Sequence, residues 1–188
     1  MASGKAAGRP QKRDGALSRE RILTAALPLL REQGAEAVSF RRLADSLGVT
    51  AMAIKYHVGS QQELLAALVE SAFKGTLSRI EGNTPDVRLR NILSMYCAKA
   101  LENANVVRCI LNDTSLMSSD IIEVTEEIRK NTQLLNNGDP NDVMLNLLVD
   151  YTHGFVFSAV AAAPEHNLTE EDFLRSVDWV LGACVSEA

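Results

Sequence analysis

Ser39-Phe40-Arg41-Arg42-Leu43-Ala44-Asp45-Ser46-Leu47-Gly48-Val49-Thr50-Ala51-Met52-Ala53-Ile54-Lys55-Tyr56-His57 is the stretch that decides how this chain is read. Two short helical patterns flank a break at Leu47-Gly48-Val49. Ser39 and Thr50 each stand where a side-chain oxygen can accept from the unpaired N–H groups that open a helix. Gly48 supplies the left-handed conformation that a tight helix–helix turn needs. Ala44 is small where the second helix must approach, and Leu43, Leu47, Val49 and Ile54 provide apolar contacts. This is the pattern of a helix-turn-helix, a motif whose second helix enters the DNA major groove.

Outward from this core, the chain continues as helices. A first helix is predicted after Ser18, reaching about Gln33 and stopped by Gly34, with Ile22, Ala26, Leu29 and Leu30 on one stripe. Pro28 falls inside it and predicts a kink or a broken turn, because its ring clashes with the Thr24 carbonyl. After the motif, Ser60 and Glu63 form a capping box. The helix they open is expected to run from Gln61 to about Ile80, carrying Leu64, Leu65, Leu68, Ala72 and Leu77. Gly82-Asn83-Thr84-Pro85 closes it. Beyond Pro85 the periods are helical and no strand pattern occurs. Leu89, Leu93, Tyr96 and Ala100 line one face of the next helix. A short one covers about Val106 to Leu111, and Ser118 or Ser119 caps another running to Leu135. Residues 136–140 read as a loop. A long helix is expected from Asn141 to Ala163, ended by Pro164. Thr169 with Asp172 caps the last, to about Val185, whose core stripe is Phe173, Val177, Val180, Leu181 and Cys184.

The expected fold is all-α: an N-terminal three-helix domain with the helix-turn-helix, joined by a long helix to a helical body. Residues 1–17 read as a flexible basic arm, 18–64 as the DNA-binding domain and 65–188 as a regulatory and dimerisation domain. Lys5, Arg9, Lys12 and Arg13 give the arm its charge. They suit either a solvated tail or contacts to phosphates or a minor groove.

Composition supports this division. Of 188 residues, 46% are hydrophobic and only 5% aromatic, which favours helices over sheets. Residues 1–60 hold ten Lys+Arg and five Asp+Glu, a net +5; the other residues hold 19 − 10 = 9 basic and 24 − 5 = 19 acidic, a net −10. A polyanion is drawn to such a head and repelled by such a body, which orients the encounter. Cys97, Cys109 and Cys184 are odd in number, lack C-x-x-C spacing and suggest neither disulfide nor zinc. The N-terminus lacks an apolar signal core, and no uninterrupted apolar run approaches the roughly 20 residues of a membrane span. A cytoplasmic protein without membrane contact is therefore expected. No nucleophile–base pair, metal-ligand cluster or cofactor loop appears, and His57, His153 and His166 do not make a site. No enzyme, metal or cofactor is expected.

Residues 18 to 80 resemble the TetR family of bacterial transcriptional regulators. The resemblance rests on the first helix ending in Gly34, Val38-Ser39-Phe40-Arg41-Arg42-Leu43-Ala44, Leu47-Gly48-Val49, Tyr56-His57-Val58, and Ser60 opening a Leu-rich helix. It implies a homodimer on a palindromic operator, released when a small molecule binds the body. Matched position by position, it implies DNA contacts from Arg41, Arg42, Thr50, Ala51, Met52, Ala53, Lys55, Tyr56, His57 and Gln61. Ala51 and Ala53 can meet a thymine methyl; Lys55 can donate to guanine or phosphate. Arg42 reads as a backbone contact. Tyr56 and His57 can also serve to pack the small domain. Two positions depart from the family. An aromatic residue usually stands at Lys55, and a lysine at Gln61, so the Gln61 contact carries no charge.

In the body, Gly154, Ser158 and Ala162 make a small-residue stripe on the long helix, and Ser176, Trp179 and Ala183 fall off the core stripe of the last. Together they are the candidate dimer interface. Asn146, Asp150 and His153 share another stripe with Phe157, suited to a cavity or to solvent. Met95, Tyr96, Ile110, Leu116, Met117, Tyr151 and Phe155 are candidates for a pocket that takes a mainly apolar effector with one or two polar handles. Control by a protein partner or by oxidation, and activation in place of repression, stand as alternatives. A closed pocket of several hundred Å3 favours a ligand; a filled core favours a partner.

Overall fold

Capping chemistry sets the head. In the computed structural model, which describes residues 16–135, 139–163 and 168–185, helix α1 spans Arg19–Gln33, with the Ser18 hydroxyl accepting from Arg21 N–H at 3.2 Å. Pro28 does not break it. The ring lies on the exposed face, so the Thr24 carbonyl that loses its partner faces water. Helix α2 (Phe40–Leu47) is capped by Ser39 and ends at Gly48, which is left-handed at φ 67°, ψ 38°. Helix α3 (Ala51–Val58) is capped by Thr50, whose hydroxyl accepts from Ala53 N–H at 3.2 Å. Helix α4 (Gln61–Phe73) opens with the reciprocal Ser60–Glu63 box.

α4 ends seven residues before the expected Ile80. The Thr76 hydroxyl donates to the Phe73 carbonyl, Gly75 adopts φ +71°, and its N–H donates to the Asp120 carboxylate at 2.9 Å. A tertiary partner thus claims the amide that would have extended the helix.

The body comprises α5 (Pro85–Glu102), α6 (Ala104–Asn112), α7 (Ser119–Leu135), α8 (Val143–Ala161) and α9 (Glu170–Val185). α5 is central and packs on α7, α8 and α9. Among the described residues every regular element is helical. α8 begins two residues after the expected Asn141. Asn141 and Asp142 are both left-handed (φ 67° and 53°), and the buried Asp139 carboxylate instead accepts from Met144 and Leu145 N–H, each at 3.1 Å. Asp142 turns out to pair with Arg129 at 3.0 Å. The Thr169–Asp172 box opens α9 as expected. The arm cations Lys5, Arg9, Lys12 and Arg13, the loop at 136–138, Pro164, His166 and the Cys184 side chain lie outside the described residues.

One apolar cluster runs through head and body, from Ile22 to Leu181. α1 and α4 carry it across, since both pack against α6. By length and composition alone one helix among the described residues, Pro140–Ala161, could cross a membrane, although Asp142 and Asp150 interrupt its apolar run. Its Leu145, Leu148, Thr152 and Val156 are nevertheless packed inside the fold, as in the core helix of a bundle.

Replacing Gly48 with Ala puts a Cβ on a left-handed residue. We expect the G48A variant to lose about 1 kcal/mol of stability in urea unfolding, with the m value unchanged.

Candidate nucleic-acid interface and internal cavity

α3 is anchored on one side. Ile54 and Val58, four residues apart, are buried against α1 and α2. That anchoring turns Ala51, Met52, Lys55 and Tyr56 outward, with Met52 74% and Tyr56 85% exposed. Ala53 and His57 are half-buried. The Tyr56 and His57 rings meet edge to face at 5.3 Å. Tyr56 is thus no packing residue of the head. The Arg41 side chain is exposed and makes no hydrogen bond or ion pair to another described residue. Arg42 is exposed too, but its guanidinium donates to the Gln33 side chain at 2.8 Å. The Gln61 amide donates to the Val38 carbonyl at 2.5 Å, pinning the start of α4 to the segment before α2. One of its two N–H donors is therefore committed inside the head. The exposed arrangement offers two kinds of contact to a groove: cations from Arg41 and Lys55, and short or flat apolar groups from Ala51, Met52 and Tyr56.

The body holds a partly open cavity of about 110 Å3, with exposed Leu111 and Thr114 at its mouth. Tyr96, Ile110 and Met117 line it, as do Val107 of α6, Ile121, Val124 and Ile128 of α7, and Val149 and His153 of α8. At its wall the Tyr96 hydroxyl and His153 Nε2 lie 2.8 Å apart. Burial holds the His153 imidazole below its ordinary pKa of 6.5, with the Asp150 charge opposing, and holds the Tyr96 phenol well above its own. The structure does not bring all seven pocket candidates together. Phe155 is buried between Tyr151 and Phe173, at ring distances of 6.3 and 5.2 Å. Leu116 lines a seam between head and body beside His57, and Met95 is half-buried on α5. The polar stripe of α8 divides: Asn146 and Asp150 are exposed, while His153 meets the cavity. The cavity residues of α7 were not anticipated, because an apolar stripe at helical spacing reads as ordinary core.

Both ends of α6 are tied to the head. Arg31 Nε donates to the Asn103 side-chain oxygen Oδ1 at 2.7 Å, and the Asn105 side-chain amide donates to the Arg31 main-chain carbonyl at 2.9 Å. Past the other end, Gln62 of α4 donates to Ser115 at 2.9 Å, and Ser115 donates to Asp113 at 2.6 Å.

An apolar groove of about 380 Å3 runs between α8 and α9, lined by Leu147, Tyr151, Ser176, Trp179 and Val180 among others. Trp179 is 76% exposed; Gly154, Ser158 and Ala183 are exposed, and Ala162 and Ser176 half-buried. A Cβ on Gly154 would meet nothing within 4 Å, so this face is open. Burial pushes the Cys97 thiol up to about 12 and raises that of Cys109. Neither has the exposed, low-pKa character of a redox sensor. Among the described residues, no group of three or more His, Cys, Asp or Glu is placed to hold a metal ion.

Residues 22–68 match the family described as bacterial regulatory proteins, tetR family. No curated protein matches the chain in sequence. Solved structures share its fold. BioQ of Mycobacterium smegmatis is 19% identical with a TM-score of 0.72, over 92% of this chain and 100% of that one. A structure of BioQ with its double-stranded DNA operator gives 0.69 at 18% identity, over 91% and 99%. ActR of Streptomyces coelicolor, solved in complex with (S)-DNPA, gives 0.67 at 15% identity, over 93% and 100%.

A buried neutral imidazole makes stability depend on pH. Between the folded pKa and 6.5 the unfolded chain binds the His153 proton and the folded chain does not, so acid favours unfolding. We expect Tm to fall as pH drops through about 6.5 and this slope to vanish in the His153→Gln variant, by calorimetry. Glu63 and Asp172, lowered by their capping bonds, add a separate loss below their ordinary 4.5 and 3.8.

Proposed function

We propose that this chain, a member of the tetR family of bacterial regulatory proteins through its residues 22–68, is a cytoplasmic transcriptional repressor that binds a palindromic operator as a homodimer and is released by a small, mainly apolar effector. One observation carries the reading: α3 buries Ile54 and Val58 and presents Met52, Lys55 and Tyr56 to solvent. A helix held from behind, bare in front and flanked by exposed Arg41 and Arg42 suits a major groove. Residues 18–64 then form the DNA-binding head and 65–188 the regulatory and dimerisation body, with 1–17 as a basic arm.

Each of the other parts has its support. The open α8–α9 face, with an exposed Trp179, suits a second copy of the same face, which a two-fold axis would supply. At about 110 Å3 the cavity falls short of the several hundred Å3 set as the mark of a ligand site, so an effector held there must be correspondingly small. α6 offers the connection. Its middle lines the cavity through Val107 and Ile110, and hydrogen bonds at both ends hold α1 and α4 of the head. An effector that shifts α6 changes how the heads are spaced, which is a coupling free energy between two sites.

Selection of bound DNA from a random pool tests the reading directly. A palindrome with half-sites about one helical turn apart, or a multiple of that, is expected; no enrichment, or an asymmetric site, would refute it. On the selected DNA, Lys55→Ala should weaken binding and alter preference at one base pair, whereas Arg42→Ala should weaken all sequences alike. Equal losses on every sequence for both variants would confine Lys55 to phosphate. Trp179→Glu should convert the dimer to a monomer in sedimentation while leaving the thermal transition of the fold in place, since the side chain lies mostly outside the core.

A further inference from the structure

The cavity between α5, α6, α7 and α8 restricts what can enter it more narrowly than its apolar walls alone suggest. Its volume is about 110 Å3. An enclosed apolar cavity of about 150 Å3 takes benzene and drug-sized ligands need about 300 Å3 or more, so this smaller, partly open cavity admits at most one ring, with part of it at the mouth beside exposed Leu111 and Thr114. The residues lining it include no Lys, Arg, Asp or Glu. A carboxylate would find no cation there and an ammonium no anion, and either would lose its hydration. Of the two threonines on the wall, Thr125 already donates to the Ile121 carbonyl at 3.0 Å and Thr114 is exposed. Thr125 Oγ1 keeps only acceptor capacity, so the group on the wall, away from solvent, that can offer either a donor or an acceptor is the Tyr96–His153 pair at 2.8 Å.

That pair is adaptable. When the phenol donates to Nε2, a lone pair on the Tyr96 oxygen stays available to accept. When Nε2–H donates to the phenol oxygen, the Tyr96 O–H is left to donate. The two arrangements match a ligand hydroxyl and a ligand carbonyl respectively. Burial disfavours the charged form of both residues, and neither hydrogen-bonded arrangement needs a net charge in the cavity. Asp150, the nearest acid on the same helix, is exposed and does not line the cavity.

We propose that the effector is a small uncharged molecule of about one aromatic ring, with a single hydroxyl or carbonyl group bonded to the Tyr96–His153 pair. This rests on the ligand-responsive reading above and narrows it to a chemical class. Phenol is the probe, with benzene, 1-naphthol and benzoate as comparisons, titrated calorimetrically into the full chain. Phenol should bind and benzene bind severalfold more weakly, while 1-naphthol and benzoate give no measurable heat. Tyr96→Phe should weaken phenol roughly tenfold and leave benzene unchanged. Should that variant fold poorly, the His153 ring nitrogens in the unaltered protein provide the test by NMR: phenol should move their resonances and benzene should not.

Tighter binding of 1-naphthol or benzoate than phenol would overturn the proposal. So would failure of phenol to bind, or phenol binding that leaves the His153 resonances unmoved. Release of the selected DNA is read separately. If phenol binds as described and DNA affinity stays constant, this site stands and the switch falls. If only larger or charged compounds release DNA, the switch stands and this assignment falls.

Discussion

The seating of α3 on Ile54 and Val58 is the constraint on which the rest depends. Full burial of two such side chains contributes about 2 kcal/mol each. It also fixes the roll of the helix, because a rotation by one residue would bring Lys55 toward the apolar core and leave Ile54 in water. The ends are fixed independently. Gly48 and the Thr50 cap set where the helix starts, and Gly59 with the Ser60–Glu63 box sets where it stops. Gly59 has φ +78°, and a Cβ there would come within 2.3 Å of the Glu63 carboxylate. The carboxylate that caps α4 therefore occupies the space a side chain at 59 would need. An eight-residue helix has little stability of its own, so its aim is set by these neighbours.

Head and body meet through two kinds of contact with different tolerances. The apolar cluster runs across without interruption and is indifferent to small slips. The polar ties are directional. Asn103 is fully buried, accepts from Arg31 and donates to the Lys99 carbonyl at 2.8 Å. A shift of α6 that broke the Arg31 bond would strand a buried amide, which costs more than the bond itself contributes. Such a seam favours discrete arrangements over a continuum, the property that a two-state regulator requires.

Local chemistry explains which elements could be read from sequence. Ser18, Ser39, Thr50, Ser60 and Thr169 each cap the helix expected of them, because capping needs only residues within one turn. Gly34 and Gly48 end helices for the same reason. Ser118, expected with Ser119 as a cap of α7, fails locally, since its buried hydroxyl has no hydrogen-bond partner; the errors in helix bounds fall where the partner is remote. α4 stops early through Asp120, which lies 45 residues away in sequence, and the start of α8 is set by Asp139 reaching past two left-handed residues. The cavity was half legible. Tyr96, Ile110 and Met117 are present in it, but periodicity cannot distinguish the wall that α7 gives to a void from one it gives to packed core. The α8 polar stripe, open between cavity and solvent in the sequence, divides for a related reason: neighbouring positions on one face can meet different surroundings, so His153 turns to Tyr96 while Asp150 stays in water.

Tyr56 and Trp179 raise one final point of physical accounting. Each is a large aromatic with most of its area in solvent, at 85% and 76% exposure. Folding gains little from either, since burial is what makes an aromatic stabilising. Single exposed apolar residues are ordinary on a protein surface. These two differ in company. Tyr56 stands beside Lys55 and exposed Met52 on a helix already anchored from its other side, and Trp179 borders an apolar groove with half-exposed Leu147 at its rim. Each exposed ring thus belongs to a patch, and the stability of the single chain gives no account of either patch. The proposed nucleic acid at one and a second copy of the chain at the other would supply a partner to each surface.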